Sequence, residues 1–179
     1  RNDSLVVYLV SDLITNASDL TLKAEVTDFS GKIIRRFQKK TSIEANVSKI
    51  VWKEKISELL SDEQRKNTFI KFSLTNSKGK LVNQQIYFVN KTKDLLLPEP
   101  KIKYTAKYNE GLCELTLQTD KLVKDAFVKF PVHGARFSDN FFDLLPGKSK
   151  KITISSPEIT KSNRYNIEIQ HIQKTIISK

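Results

Sequence analysis

Apolar and polar residues alternate with a period of two along most of this chain, the spacing a strand needs to bury one face and wet the other. Leu20, Leu22, Ala24 and Val26 alternate with Thr21, Lys23, Glu25 and Thr27. Ile70, Phe72 and Leu74 alternate with Phe69, Lys71 and Ser73. Ile102, Tyr104, Ala106 and Tyr108 share a face opposite Lys103, Thr105 and Lys107, and Tyr165, Ile167 and Ile169 repeat the pattern. Turn chemistry separates these runs. Gly31 in Asp28-Phe29-Ser30-Gly31-Lys32, Gly79 in Asn76-Ser77-Lys78-Gly79-Lys80, and Gly111 after Asn109-Glu110 mark reversals where a positive φ costs little. Leu145-Pro146-Gly147-Lys148 is a fourth turn, feeding a strand over Lys150 to Ser155.

Two segments depart from simple alternation. Leu5 to Val10 is apolar throughout, which predicts a strand covered on both faces. Ile56, Leu59 and Leu60 follow helical spacing, and Ser61-Asp62-Glu63-Gln64 reads as a capping box, so one or two helical turns are expected there. Pro98 and Pro100 flank Glu99 in Asp94-Leu95-Leu96-Leu97-Pro98-Glu99-Pro100. Two prolines so close cannot sit in a central strand, so this is the strongest boundary. The reading is an all-β chain of two tandem immunoglobulin-like β-sandwich domains, 1–97 and 98–179. Charge does not separate them, at +6 and +5.

Composition narrows the chemistry. Cys113 is the only cysteine, and His133 and His171 the only histidines, in no zinc-binding spacing. The five glycines form no phosphate-cradling pattern. No cofactor and no metal is expected. With 39% hydrophobic residues there is material for packed cores, and no apolar run is long enough to span a bilayer as a helix. The chain opens on Arg1 without a signal peptide and contains no Met, so it is expected to be a piece of something longer. Its net charge of +11 would attract polyanions, but the lysines are scattered along strand faces and no base-stacking motif appears. Neither a nucleic acid nor a membrane is an expected partner. Sequons at Asn2, Asn16, Asn46 and Asn90 occur in a chain rich in Asn, Ser and Thr and decide nothing.

Few residues suggest a site. Arg136, Asp139 and Asn140 would serve as hydrogen-bonders to a sugar beside the aromatic platforms of Phe137, Phe141 and Phe142. The plainer reading is a strand corner: Phe137, Phe141, Phe142 and Leu144 enter the core while Asp139 and Asn140 bond nearby backbone. Trp52, the only tryptophan, would stack on a pyranose, or else fill a core or an interdomain contact. Cys113 shares a strand face with Leu115 and Leu117 and reads as an inert small hydrophobe. His171 reads as a satisfied core-edge histidine, and His133 as a loop residue facing solvent or a partner domain. Acidic residues such as Glu110 and Glu114 sit by a hairpin with no barrel to hold them, so no catalytic residue is assigned.

Four stretches carry a resemblance: Val7-Tyr8-Leu9-Val10-Ser11-Asp12-Leu13, Val26-Thr27-Asp28-Phe29-Ser30-Gly31-Lys32, the linker from Lys93 to Pro100, and above all Ala135-Arg136-Phe137-Ser138-Asp139-Asn140-Phe141-Phe142-Asp143-Leu144-Leu145-Pro146-Gly147. Together they resemble the C-terminal part of beta-mannosidases of glycoside hydrolase family 2, across essentially the whole chain. The last motif is also similar to that of exo-beta-glucosaminidases. The resemblance implies an immunoglobulin/carbohydrate-module-like mannosidase domain over 1–97 and a terminal immunoglobulin-like domain over 98–179. Both would support a catalytic barrel and N-terminal domains of the same polypeptide. The parent would cleave terminal β-D-mannose with retention, in a bacterial periplasm or outside the cell, or in a lysosome if animal. The competing readings are an autonomous carbohydrate-binding module that takes mannose-containing oligosaccharide, and an adhesion module of a bacterial surface protein.

Overall fold

A computed structural model describes residues 3–177. The chain divides into two compact units: residues through Asp28 together with Lys32–Leu96, and Phe29–Gly31 together with Leu97 onward.

The first unit runs β1 (Ser4–Val10), β2 (Ala17–Asp28), β3 (Ile33–Ile43), β4 (Ser48–Lys55), α1 (Ile56–Leu59), α2 (Gln64–Asn67), β5 (Thr68–Thr75) and β6 (Leu81–Tyr87), and closes with a 3-10 turn over Thr92–Asp94. The hairpins form where the turn residues sit. Asp28 Oδ1 accepts the Lys32 N–H at 2.9 Å, and Asn76 Oδ1 accepts those of Lys78 and Lys80. The resulting sheet has the order β3-β2-β5-β6, and β1 pairs antiparallel with β4 as a second layer. Leu22, Ala24, Val26, Ile70, Phe72 and Leu74 from the first layer meet Leu5 and Val51 from the second. Each such aliphatic side chain, fully buried, contributes roughly 1.5–3 kcal/mol.

The capping box forms as expected. Gln64 Oε1 accepts the Ser61 N–H at 3.0 Å, and Ser61 Oγ accepts the Gln64 N–H at 3.2 Å. The β1–β4 ladder slips between Val7 and Tyr8, which leaves Val51 unpaired across from β1. Through this bulge Val51 and Trp52, adjacent in sequence, both pack on the core.

The second unit runs β7 (Ile102–Asn109), β8 (Leu112–Thr119), β9 (Val123–Lys129), β10 (Arg136–Phe137), β11 (Phe142–Leu144), β12 (Lys150–Ser155), β13 (Glu168–Gln170) and α3 (Ile172–Ile177). One sheet has the order β10-β12-β8-β7 and the other β11-β9-β13. Cys113, Leu115, Leu117, Ile152 and Ile154 from the first face Val123, Ala126, Val128, Phe142 and Leu144 from the second. Each unit is therefore a β-sandwich, and the all-β, tandem immunoglobulin-like class holds.

Two expectations need correction. β1 is covered on one face only. Leu5, Val7 and Leu9 pack on the core, whereas Tyr8 and Val10 are exposed. Among the described residues of the first unit, β1 pairs with β4 alone, as a two-stranded ribbon. The strand expected from Tyr165 begins only at Glu168, which pairs with Lys129 at the end of β9. Beyond Lys129 the neighbouring chain reaches Pro131, which has no N–H to offer a ladder. Tyr165 instead anchors a loop: its hydroxyl accepts the Thr160 N–H and donates to the Glu158 carbonyl.

Candidate functional site

The 135–147 motif is built into the second unit by its polar side chains. Ser138 exchanges bonds with Thr153, its N–H going to the Thr153 carbonyl and its Oγ accepting the Thr153 N–H. Asp139 pairs with Lys150 at 2.5 Å. Asn140 Oδ1 accepts the N–H groups of Val128 and Phe141, and Nδ2 donates to the Val128 carbonyl at 3.2 Å. Asp143 Oδ1 accepts the Asp125 N–H and lies 3.5 Å from Lys124 Nζ. Arg136 is exposed on β10, opposite Ser155. So Asn140 bonds backbone, as the plainer reading had it, whereas Asp139 bonds the Lys150 side chain rather than nearby backbone.

The aromatic residues divide differently from that reading. Phe142 and Leu144 are buried, and Lys150 Nζ lies 4.9 Å from the Phe142 ring centroid. Phe137 is half-buried against the core. Phe141 stays out: it is 69% exposed, at φ 60°, and stacks on Phe127 with centroids 4.6 Å apart. Phe141 lies just before β11, and its left-handed backbone turns the side chain away from the core that Phe142 enters. Phe127, Phe130, Phe137 and Glu168 line a cleft of about 530 Å³ beside this corner.

Trp52 belongs to the first unit. It is half-buried, tilted against Phe37 at 5.4 Å and edge-on to Phe72 at 5.8 Å. It borders a cleft of about 250 Å³ with Gln38 and Lys39. The structure thus gathers Arg136, Asp139 and Asn140 along one corner of the second unit and leaves Trp52 in the first. Glu110 accepts the Lys161 N–H at 3.1 Å. Among the described residues, no three of His, Cys, Asp and Glu converge as metal ligands, and no helix is long and apolar enough to cross a membrane.

Two polar networks escaped the sequence reading. Glu25, an outward position by alternation, is buried at the centre of its sheet. Its register partners are Arg36 on β3 and Lys71 on β5. Arg36 Nε lies 2.9 Å and Lys71 Nζ 2.6 Å from its two carboxylate oxygens. The signal lay in opposite charges at ladder-related positions, which needs the register to be seen. The second network is Gln173, fully buried, whose Nε2 donates to the Leu122 carbonyl while Oε1 accepts the Lys124 N–H. That fixes the amide, so Oε1 also faces His171 Nδ1 at 3.2 Å.

Against known families, residues 3–94 match the mannosidase Ig/CBM-like domain. The chain belongs to that family. Residues 97–175 match a second model, an Ig-fold domain of mannosidases. No curated protein matches the chain. Among solved structures, a beta-D-mannosidase from Dictyoglomus thermophilum is similar over 96% of this chain and 20% of its own, at 24% identity and a TM-score of 0.72. The exo-chitosanase CsxA from Amycolatopsis orientalis is similar over 93% of this chain and 24% of its own, at 17% identity and a TM-score of 0.64. At such identities the likeness is one of fold. The mannosidase Ig/CBM-like chain spans about a fifth of the mannosidase's length.

Proposed function

We propose that this chain is the pair of non-catalytic C-terminal sandwiches of a retaining beta-mannosidase that removes terminal, non-reducing β-D-mannose. The two sandwiches would brace the catalytic barrel and N-terminal domains of the same polypeptide. What carries the reading is the pair of consecutive mannosidase-domain matches, 3–94 and 97–175, on a chain spanning a fifth of a solved mannosidase. The packing supports a bracing role, because the polar side chains of the 135–147 motif bond within the second unit. Reactive groups of a barrel enzyme sit at the ends of its own strands, which these sandwiches do not supply. A bacterial periplasmic or secreted location belongs to the same reading, and cell fractionation tests it.

The test is made on the longer polypeptide, with and without residues 98–179. The full form should hydrolyse p-nitrophenyl β-D-mannopyranoside in preference to the β-D-glucosaminide, and the truncated form should be insoluble or inactive. A soluble truncation with full activity refutes the bracing role. Preference for the glucosaminide would move the parent to the exo-glucosaminidases.

A further inference from the structure

Outward-facing residues on the inner strands β2 and β5 are polar, Thr21 and Lys23 on the one and Lys71 and Ser73 on the other. The β1–β4 ribbon breaks that habit. Its outer face presents Tyr8, Val10 and Ile50, exposed to 60%, 64% and 53%, with Tyr8 and Ile50 directly paired. Just past the end of β1, Leu13 and Ile14 are exposed too, Ile14 to 89%. The Leu13 carbonyl accepts the Asn46 N–H, so this loop continues the ribbon. The apolar run from Leu5 to Val10 is the composition of a strand covered twice, and among the described residues of the first unit only one cover is present.

We propose that the outer face of the β1–β4 ribbon is the surface on which these domains dock, and that the occupant is an apolar face of another domain of the same polypeptide. The inference rests on the function proposed above and adds the site of contact. The length of the solved mannosidase outside this match, four-fifths of its chain, is where such a domain would lie. A second copy is a poor occupant, since each chain carries +11 and two would repel. A sugar is poorer still. The cross-strand pairs on this face, Val6–Lys53, Tyr8–Ile50 and Val10–Ser48, carry no carboxylate or amide, and the amides of Asn83, Gln84 and Gln85 lie along the neighbouring edge at β6.

The experiment places a thiol on the face, as Tyr8→Cys and separately Ile50→Cys, in the 179-residue chain and in the longer polypeptide. N-ethylmaleimide labelling is followed by peptide mass spectrometry, which isolates the new thiol from any other. In the 179-residue chain both thiols should react freely at every protein concentration. In the longer polypeptide both should react at least about 100-fold more slowly until it is unfolded. Equal rates in the two forms overturn the proposal. Protection in the 179-residue chain that grows with concentration also overturns it, in favour of self-association. Mannosidase activity of the longer form is read separately, so a failed reading of function is told apart from a misplaced contact.

Discussion

Asn140 holds both backbone polar groups of Val128, accepting its N–H at 2.9 Å and donating to its carbonyl at 3.2 Å. A side chain thereby imitates a neighbouring strand, on a stretch of β9 where β11 pairs only at Ala126 and Val123. Asn140→Ala would strip both bonds from a buried residue and destabilise the second unit by about 2 kcal/mol. Asn140→Asp keeps the acceptor, turns repulsive toward the carbonyl, and should recover little. Urea unfolding measures both; an unchanged midpoint in Asn140→Ala would show the bonds to be dispensable.

Trp52 is packed between Phe37 and Phe72, so its loss should be felt as a cavity. Trp52→Ala is expected to cost about 3 kcal/mol, while Trp52→Phe retains most of the contact. As the only tryptophan it reports on itself. Its emission should be blue-shifted in the folded chain and unmoved by mannobiose. A saturable change on titration with the sugar would assign the residue to binding instead.

Glu25 makes a prediction about acid. Burial pushes its carboxyl upward, but Lys71 and then Arg36 pull harder, and the net shift is downward. The stability it adds is therefore full above the unfolded carboxylate value, near 4.5, and fades as pH falls through the lower folded value. Glu25→Ala leaves two cations facing each other and should cost about 3 kcal/mol at neutral pH. The variant's unfolding should also lose part of its dependence on pH below that range, which a thermal series reads directly.

His171 acts in the second unit. Burial lowers its pKa from the ordinary value of 6.5; the Gln173 bond and Glu99 oppose this, and Lys174 adds to it. The folded form thus prefers neutral imidazole. Its contribution is complete above pH 6.5 and declines as pH falls below that value, because the unfolded chain takes up the proton first. The thermal midpoint of the second unit should drop as pH falls below 6.5, and His171→Asn should flatten that slope. Equal slopes in the two proteins would rule out the histidine as its source.

Cys113 is fully buried, and burial raises its thiol to about 11, with Glu114 adding to the rise. It should resist maleimide at neutral pH and react only as the second unit opens, so that its labelling rate follows unfolding. Fast labelling under native conditions would mean that β8 is exposed by local opening.

The fold was legible wherever one strand face is wet. Alternation marked β2, β5 and β7, the turn at Leu145–Lys148 placed β12 with its observed ends, and Gly31, Gly79 and Gly111 placed three hairpins. The reciprocal Ser61–Gln64 bonds were readable from spacing alone. Features set by distant partners were not legible. Glu25 looks like any surface carboxylate until Arg36 and Lys71 are brought to either side by register. Phe141 and Phe142 are the same residue type in adjacent positions, and only the backbone turn at Phe141 sends one outward. For the candidate contact residues, sequence named the corner at Arg136, Asp139 and Asn140 and the inward bonding of the latter two, but not their partners: Val128, twelve residues from Asn140, and the Lys150 side chain opposite Asp139.

That turn at Phe141 has an energetic meaning. A bulky side chain at positive φ stores backbone strain on the order of 1–3 kcal/mol. Asn140 and the Phe127 ring hold the loop in this shape while most of the phenyl group remains in water. Glycine would relax the strain and remove the exposed ring together. As built, the ring is immobilised in advance, so a surface brought against it would meet a preset wedge and lose little rotational freedom in seating it.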